Sequence, residues 1–241
     1  MKDSDKSSGI VTMLEVQKRN KERVNVYLDG EYAFSLTLFE AAKLRKGQAL
    51  TPTDVTLLRD ADTVLKAVDR AAHFLSYRPR SIQEVRRNLE QKDTPPAVID
   101  AALARLSEQG YVDDVAFARY WVENRNTFKP LSPRALRHEL CQKGIDSTVI
   151  NEVLSDLDAD EAAYTAAQSR AARMRGTDPR QFRAKLGGFL QRRGFSYATV
   201  HDVIQRLLDE IDAEDPEFFA DADADNSAAD NIDTGAYGDM D

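Results

Sequence analysis

The stretch Leu140-Cys141-Gln142-Lys143-Gly144-Ile145 decides the fold, because its pattern occurs three times in the chain. The other two copies are Leu89-Glu90-Gln91-Lys92-Asp93 and Leu190-Gln191-Arg192-Arg193-Gly194-Phe195. The leading leucines lie 51 and then 50 residues apart. A pattern that returns at a fixed period of this size is typical of tandem structural modules.

Apolar residues surround each copy at the same offsets from its leading leucine. They are Val85, Ile99, Leu103 and Leu106 in the first copy, Leu136, Ile150, Leu154 and Leu157 in the second, and Leu186, Val200, Ile204 and Leu207 in the third. Spacings of three and four residues place such side chains on one face of a helix. Each copy therefore predicts two amphipathic helices joined by a short loop.

A further amphipathic helix precedes each pair, so we predict three helices per module. The modules cover residues 60–109, 110–157 and 158–212. Side chains that can accept hydrogen bonds from the first backbone N–H groups mark several helix starts; these are Ser81, Asp113, Ser132 and Asp146. The predicted fold is mainly α: a tandem array of three helix-turn-helix-like modules in an elongated, curved body.

Residues 10–59 have a different pattern, in which apolar and polar residues alternate. Val24, Val26 and Leu28 alternate with polar neighbours, and Asp29-Gly30 is a typical two-residue hairpin turn. We predict a small antiparallel β N-terminal domain of three strands with a short helix. The polar residues 1–9 and the acidic residues 213–241 are predicted to be disordered.

The net charge of −8 is unevenly distributed along the 241 residues. From Ala213 onward the chain has ten acidic residues and no Lys or Arg, so the rest carries 33 basic and 31 acidic residues. Such asymmetry favours a partner that includes nucleic acid. No apolar run approaches the roughly 20 residues that span a bilayer. With one cysteine, Cys141, and a polar N-terminus, we expect a cytoplasmic monomer without a membrane association.

The sequence contains no pattern that indicates catalysis. His73, His138 and His201 lack the spacing of metal ligands, and there is no phosphate-binding glycine-rich loop. The pair Asp113-Asp114 precedes an apolar helical run, which favours helix capping over acid–base chemistry. We therefore predict a protein that is not an enzyme and has no cofactor, metal or catalytic residue.

Basic residues recur on and before the middle helix of each module. A cation near a helix end is stabilised by the exposed carbonyl groups, which explains Lys92, Lys143 and Arg193. Cations at or before a helix start, such as Arg78 and Arg80, need another explanation. We predict a partner-binding face, with solvated helix surface as the alternative. The predicted residues are Arg78, Arg80, Arg86, Arg87, Lys92, Arg134, Arg137, Lys143, Arg183, Arg192 and Arg193.

Three further segments show a resemblance to a known family. They are Phe74-Leu75-Ser76-Tyr77-Arg78-Pro79-Arg80-Ser81 with Glu84-Val85, then Gly110-Tyr111-Val112-Asp113-Asp114 with Phe117-Ala118-Arg119, and the stretch from Leu140 to Ile145. Together they resemble the RecX regulatory proteins of bacterial recombination over residues 60–210. The segment 23–34 is similar to the β-rich N-terminal extension of some members. We expect Tyr111 to lie in the core.

The resemblance implies a function that composition does not give. RecX-like proteins bind the RecA recombinase in the groove of its filament on DNA. They modulate it, most often by inhibiting its ATPase, strand-exchange and coprotease activities. The family supplies no catalytic residue and no contact motif to carry over. Its expected partners here are the RecA filament and single- or double-stranded DNA.

Two alternatives remain open at this point. The chain could instead bind DNA and compete with the recombinase for single strands, although its last helices are neutral or acidic and poorly suited to reading a major groove. An enzyme acting on nucleic acid is disfavoured by the missing catalytic pattern. The acidic tail departs from the family pattern; it either covers the basic face until a partner displaces it or only aids solubility.

Overall fold

The computed structural model describes residues 6–219, which divide into two compact units. The first extends to Phe117 and includes Lys143–Ile145. The second comprises Ala118–Gln142 and the residues from Asp146 onward. Residues 1–5 and 220–241, with most of the predicted acidic tail, lie outside the described residues.

The first unit begins with an antiparallel sheet of strands β1 (Gly9–Val16), β2 (Arg23–Leu28), β3 (Glu31–Thr37) and β4 (Ala49–Leu50), in the order β3-β2-β1-β4. Val24, Val26, Leu28 and Phe34 are buried, as their alternation predicts. The sequence predicted three strands and missed β4. Disorder is wrong for residues 6–9, because β1 begins at Gly9 and Lys6 forms an ion pair with Glu31.

The helices of the first unit are α1 (Leu38–Ala41), α2 (Pro52–Leu75), α3 (Ile82–Glu90), α4 (Pro96–Glu108) and the start of α5 (Asp114–Phe128). Helix α2 runs without a break through the predicted domain boundary between residues 59 and 60. This helix begins beside the sheet at the capping residue Thr51 and ends in module one. Its continuity makes the β domain and module one a single body.

The second unit contains α6 (Pro133–Gln142), α7 (Ser147–Leu154), α8 (Ala159–Ala171), α9 (Pro179–Arg192) and α10 (Tyr197–Glu214). The predicted mainly α fold of three three-helix modules is confirmed as α2–α4, α5–α7 and α8–α10. The recurring apolar positions are buried, with one exception. Leu157 is half-buried, because α7 ends at Leu154 and does not reach it.

The predicted tail boundary at residue 213 is also wrong. Helix α10 continues to Glu214, and Phe218 is buried against Phe182 with 6.0 Å between the ring centroids. The carbonyl oxygen of Phe218 accepts a hydrogen bond from the Gly176 N–H group. An aromatic side chain of this size stabilises the core that it joins, so residues 213–219 belong to module three.

Candidate protein-binding surface

The middle helices α3, α6 and α9 carry most of the predicted binding residues, and their first turns fix where those side chains lie. Helix α3 begins with a capping box in which Ser81 accepts from the Glu84 N–H group and Glu84 accepts from the Ser81 N–H group. At the start of α6, Ser132 likewise accepts from the Ala135 N–H group. These caps satisfy backbone donors that have no partner inside the helix.

In the first unit, the loop Lys143-Gly144 packs directly on the start of α3. The Ser81 hydroxyl donates to the Lys143 carbonyl oxygen at 2.7 Å, and Lys143 Nζ lies 3.1 Å from Glu84 Oε1. Arg78 donates to both oxygens of Glu84, at 2.8 and 3.2 Å. A Cβ added to Gly144 would lie 2.5 Å from Gln83 Cβ. Two of the predicted binding residues, Arg78 and Lys143, therefore hold a junction between repeats.

The charge of Glu84 is maintained by this junction. Burial alone would raise the pKa of Glu84, but hydrogen bonds from Arg78 and Lys143, and the positive charge of Lys143, overcome that effect and hold the pKa at about 2. The carboxylate is therefore ionised over a wide pH range. A half-buried carboxylate with two cationic partners is a structural ion-pair network, and it is not available to bind another molecule.

The second unit repeats this arrangement between α6 and the loop after α9. The Ser132 N–H group donates to the Arg193 carbonyl oxygen at 3.1 Å, and Arg193 Nη1 donates to the Pro130 carbonyl oxygen at 2.7 Å. The Arg193 guanidinium also lies 4.4 Å from the centre of the Phe189 ring. A Cβ on Gly194 would lie 2.7 Å from Ser132 Oγ. Arg193, like Lys143, therefore stabilises a repeat junction.

Two more predicted residues are occupied by contacts within module one. The Arg80 guanidinium lies 4.0 Å from the centre of the Phe74 ring, and burial followed by repulsion from Arg78 lowers its pKa. Arg86 Nη2 lies 2.7 Å from Asp100 Oδ1 on α4. These contacts place both side chains against their own module.

The other six predicted residues have exposed side chains: Arg87 and Lys92 in the first unit, and Arg134, Arg137, Arg183 and Arg192 in the second. Lys92 lines a cavity of about 270 Å³ with His73 and Tyr77. Burial thus separates the eleven predicted residues into an internal set and an exposed set. Sequence reasoning could not make this distinction, because junction cations and surface cations share the same offsets from the leading leucine.

Two further residues with predicted roles, Tyr111 and Asp113, lie just before α5. Asp113 caps α5 by accepting from the Val115 and Ala116 N–H groups, as predicted. Tyr111 is 64% exposed, so its predicted place in the core is wrong. Within residues 6–219, no cluster of three His, Cys, Asp or Glu side chains is arranged to hold a metal ion. No described helix is both long and apolar enough to cross a membrane.

A small sheet followed along the chain by three three-helix modules, with basic side chains on the middle helices, defines a tandem-repeat helical protein. Four family models of RecX together match most of the chain. The N-terminal domain model matches residues 9–51, and the first, second and third three-helix domain models match residues 67–106, 113–154 and 158–204.

Individual relatives agree with these matches. The regulatory protein RecX of Bacillus subtilis (strain 168) is 36% identical over 214 residues, covering 86% of this chain and 79% of the relative. A RecX from Lactobacillus delbrueckii subsp. bulgaricus is 36% identical over 208 residues, covering 84% and 76%. A crystal structure of regulatory protein RecX superposes with a TM-score of 0.66 at 30% identity, covering 82% and 98%.

The chain therefore belongs to the RecX family of regulatory proteins. Membership of this family implies a regulator of RecA, as the sequence resemblance predicted.

Proposed function

We propose that this chain binds in the groove of the RecA filament on DNA and inhibits the ATPase, strand-exchange and coprotease activities of RecA. The observation that supports this function is the recurrence of exposed cations on the middle helices, at Arg87, Arg134, Arg137, Arg183 and Arg192. A repeated protein can contact successive subunits of a repeated partner, and several weak contacts then add to a strong one.

The charge of the last helices favours a protein surface over a DNA major groove as the main target. Helix α10 has one arginine, Arg206, and five carboxylates, at Asp202, Asp209, Glu210, Asp212 and Glu214. Helix α7 has one carboxylate, Glu152, and no Lys or Arg. A recognition helix in the major groove needs side chains that tolerate the surrounding phosphates and reach base edges.

The alternative is a DNA-binding protein that competes with RecA for single strands. Exposed arginines on α6 and α9 would suit phosphate contacts as well as acidic protein groups. The dependence of affinity on salt separates the two functions. Each phosphate contact on a single strand adds about −0.7 to the slope of log affinity against log salt concentration.

Binding to preformed RecA filaments should depend on the exposed set of cations. We expect the double variant Arg134→Ala/Arg137→Ala to weaken binding about tenfold, which matches two contacts of roughly 0.7 kcal/mol each. Fluorescence anisotropy of the labelled chain measures this affinity. The control is Arg170→Ala/Arg173→Ala, which removes the same charge from exposed positions outside the middle helices.

The result identifies the preferred partner, RecA filaments or bare single strands, as well as the arginines that bind it. Equal losses in the two double variants would contradict a specific role for the middle helix. Tighter binding to bare single strands than to filaments, with a steep salt dependence, would favour the competing DNA-binding function.

A further inference from the structure

Module three differs from module one at a groove between its middle and last helices. In module one, Arg86 on α3 bridges this groove by its 2.7 Å contact with Asp100 on α4. Arg86 lies three residues before the leading leucine and Asp100 eleven after it. The same positions in module three are Gly187 on α9 and His201 on α10. Module three therefore lacks the bridging side chain.

The missing side chain leaves an open cavity of about 310 Å³ between α9 and α10. Gly187 and Gly188 form part of its wall, together with the apolar side chains of Val200 and Ile204. The cavity volume lies at the lower end of the range for binding sites that hold a small ligand or a large side chain.

Close packing does not require the glycine pair. A Cβ added to Gly187 would lie 3.7 Å from Ile204 Cδ1 and 3.9 Å from Val200 Cγ1, which are ordinary van der Waals distances. Glycine inside a helix costs roughly 1 kcal/mol relative to alanine. A Cβ added to Gly188 would lie 3.3 Å from Arg192 Nη1, the far end of a flexible side chain that can move aside. The chain therefore contains two destabilising residues that no backbone or core contact demands, at the place where they line a cavity.

The rim of the cavity has a definite chemical character. Tyr197 is 78% exposed, and its ring is stacked on His201 with 6.4 Å between centroids and an angle of 15° between planes. Arg183 contributes a cation, and Gln191 and Gln205 contribute amides. Among the described residues that line the cavity, none is Asp or Glu. An aromatic plate, apolar walls and an unopposed cation suit an aromatic side chain next to a carboxylate.

We propose that this groove binds an acidic peptide segment of the protein partner and seats one aromatic side chain of that segment between Tyr197 and the Gly187-Gly188 wall. The inference rests on the proposed function, because it assigns a contact site on the same regulator. It adds the chemistry of the segment that the partner must present: an aromatic residue flanked by aspartate or glutamate.

A single-stranded nucleic acid fits this groove less well. Such ligands need a row of cations along the phosphates in addition to aromatic plates. Arg183 is the one Lys or Arg among the described lining residues. A single cation cannot follow the successive phosphates of a strand, whereas a short peptide needs only one or two cationic contacts.

The test uses the full chain and a fluorescein-labelled heptapeptide with a central tryptophan between pairs of aspartates. Fluorescence anisotropy measures its affinity, and two matched peptides replace the tryptophan by alanine or the aspartates by lysine. We expect the tryptophan peptide to bind at least tenfold tighter than either of the two matched peptides. In the variant Gly187→Arg, which places at this position the residue found at Arg86, binding should weaken at least tenfold.

This variant adds a positive charge, so it separates groove filling from electrostatic attraction. An acidic peptide held by charge alone would bind Gly187→Arg as well as or better than the original chain. The control Ser169→Arg adds the same charge at an exposed position on α8 and should leave the affinity unchanged. The melting temperature of Gly187→Arg should not fall, because arginine is a better helix former than glycine.

Several results would overturn the proposal. They are undiminished binding of the tryptophan peptide to Gly187→Arg and absence of its binding to the original chain. Binding of oligothymidylate or the lysine peptide that is tighter than binding of the tryptophan peptide would also overturn it. Peptide binding that appears only after removal of residues 220–241 would assign the groove to the chain's own acidic segment. The peptide assay contains no RecA, so its failure leaves the proposed function to be judged by filament binding.

Discussion

At the scale of single residues, glycine and carboxylate positions determine how one repeat joins the next. Gly144 has φ +78°, in the left-handed region, and packs against Gln83 in the first unit. Gly110 has φ +73° but no heavy atom near its would-be Cβ. Asp93, at the position equivalent to Gly144 in module one, has φ +55° and a Cβ. A left-handed backbone and close packing are therefore two separate reasons for glycine at such a position.

Substituting alanine at the two glycines should separate these requirements. Gly110→Ala should reduce the free energy of unfolding by about 1 kcal/mol, from the left-handed backbone alone. Gly144→Ala should reduce it by about 3 kcal/mol, because the new Cβ also displaces Gln83. Urea titration of both variants measures the difference. Equal losses would contradict the tight junction between Gly144 and Gln83.

The low pKa of Glu84 predicts a dependence of stability on pH. A carboxylate whose pKa is lower in the folded state stabilises the fold above its unfolded pKa of 4.5, and this contribution is lost as the pH falls towards about 2. The expected loss is on the order of 2 kcal/mol. Glu84→Gln should be less stable than the original chain at pH 6. The difference between their free energies of unfolding should become smaller by pH 2.5.

Thermal unfolding at several pH values gives this difference directly. The control is Glu152→Gln, which breaks the exposed ion pair with Arg119 and should change stability by a few tenths of a kcal/mol. A constant gap between Glu84→Gln and the original chain from pH 6 to pH 2.5 would contradict the role of the ionised carboxylate.

At the scale of elements, helix α2 joins the β domain to module one through a buried charge. Asp62 is 3% exposed and accepts hydrogen bonds from Arg23 and from the Thr37 N–H group, while Lys66 lies 2.8 Å away. Its partners thus come from the sheet as well as from its own helix. Helix α2 is therefore held against the sheet by a polar network in addition to apolar packing.

Removing the Asp62 carboxylate should destabilise the first unit strongly. Asp62→Ala leaves Arg23 without its anionic partner in a half-buried place, so we expect a loss of about 3 kcal/mol. Asp60→Ala, at an exposed position of the same helix, should change the free energy of unfolding by less than about 0.5 kcal/mol. Urea titration measures both, and a small loss for Asp62→Ala would show that apolar packing alone holds α2.

The sequence predicted most elements because their signals are local. Apolar spacing, N-cap residues and the Asp29-Gly30 turn lie within each segment, so the helices and the hairpin were correct. The errors came from contacts between distant residues. Strand β4 exists because Ala49 and Leu50 pair with Gly9 and Ile10, and Phe218 is ordered because it packs on Phe182.

At the scale of the whole molecule, the repeat predicted the modules but not which surface residues are free to bind. Lys92, Lys143 and Arg193 share one repeat position, yet Lys143 and Arg193 serve junctions while Lys92 is exposed. The groove of module three has a local signal in the sequence, the pair Gly187-Gly188 at the positions occupied by Arg86 and Arg87 in module one. The pair alone predicts close helix packing or a hinge, because its meaning depends on which neighbour the position faces.

The most direct test of the proposed function is ATP hydrolysis by the RecA of the same organism on preformed filaments. We expect this chain to suppress hydrolysis as its concentration approaches that of RecA, because a groove-bound regulator acts along the filament. The Arg134→Ala/Arg137→Ala variant should need about tenfold more protein for the same effect. Unchanged hydrolysis at concentrations where the chain is bound to the filaments would contradict the account.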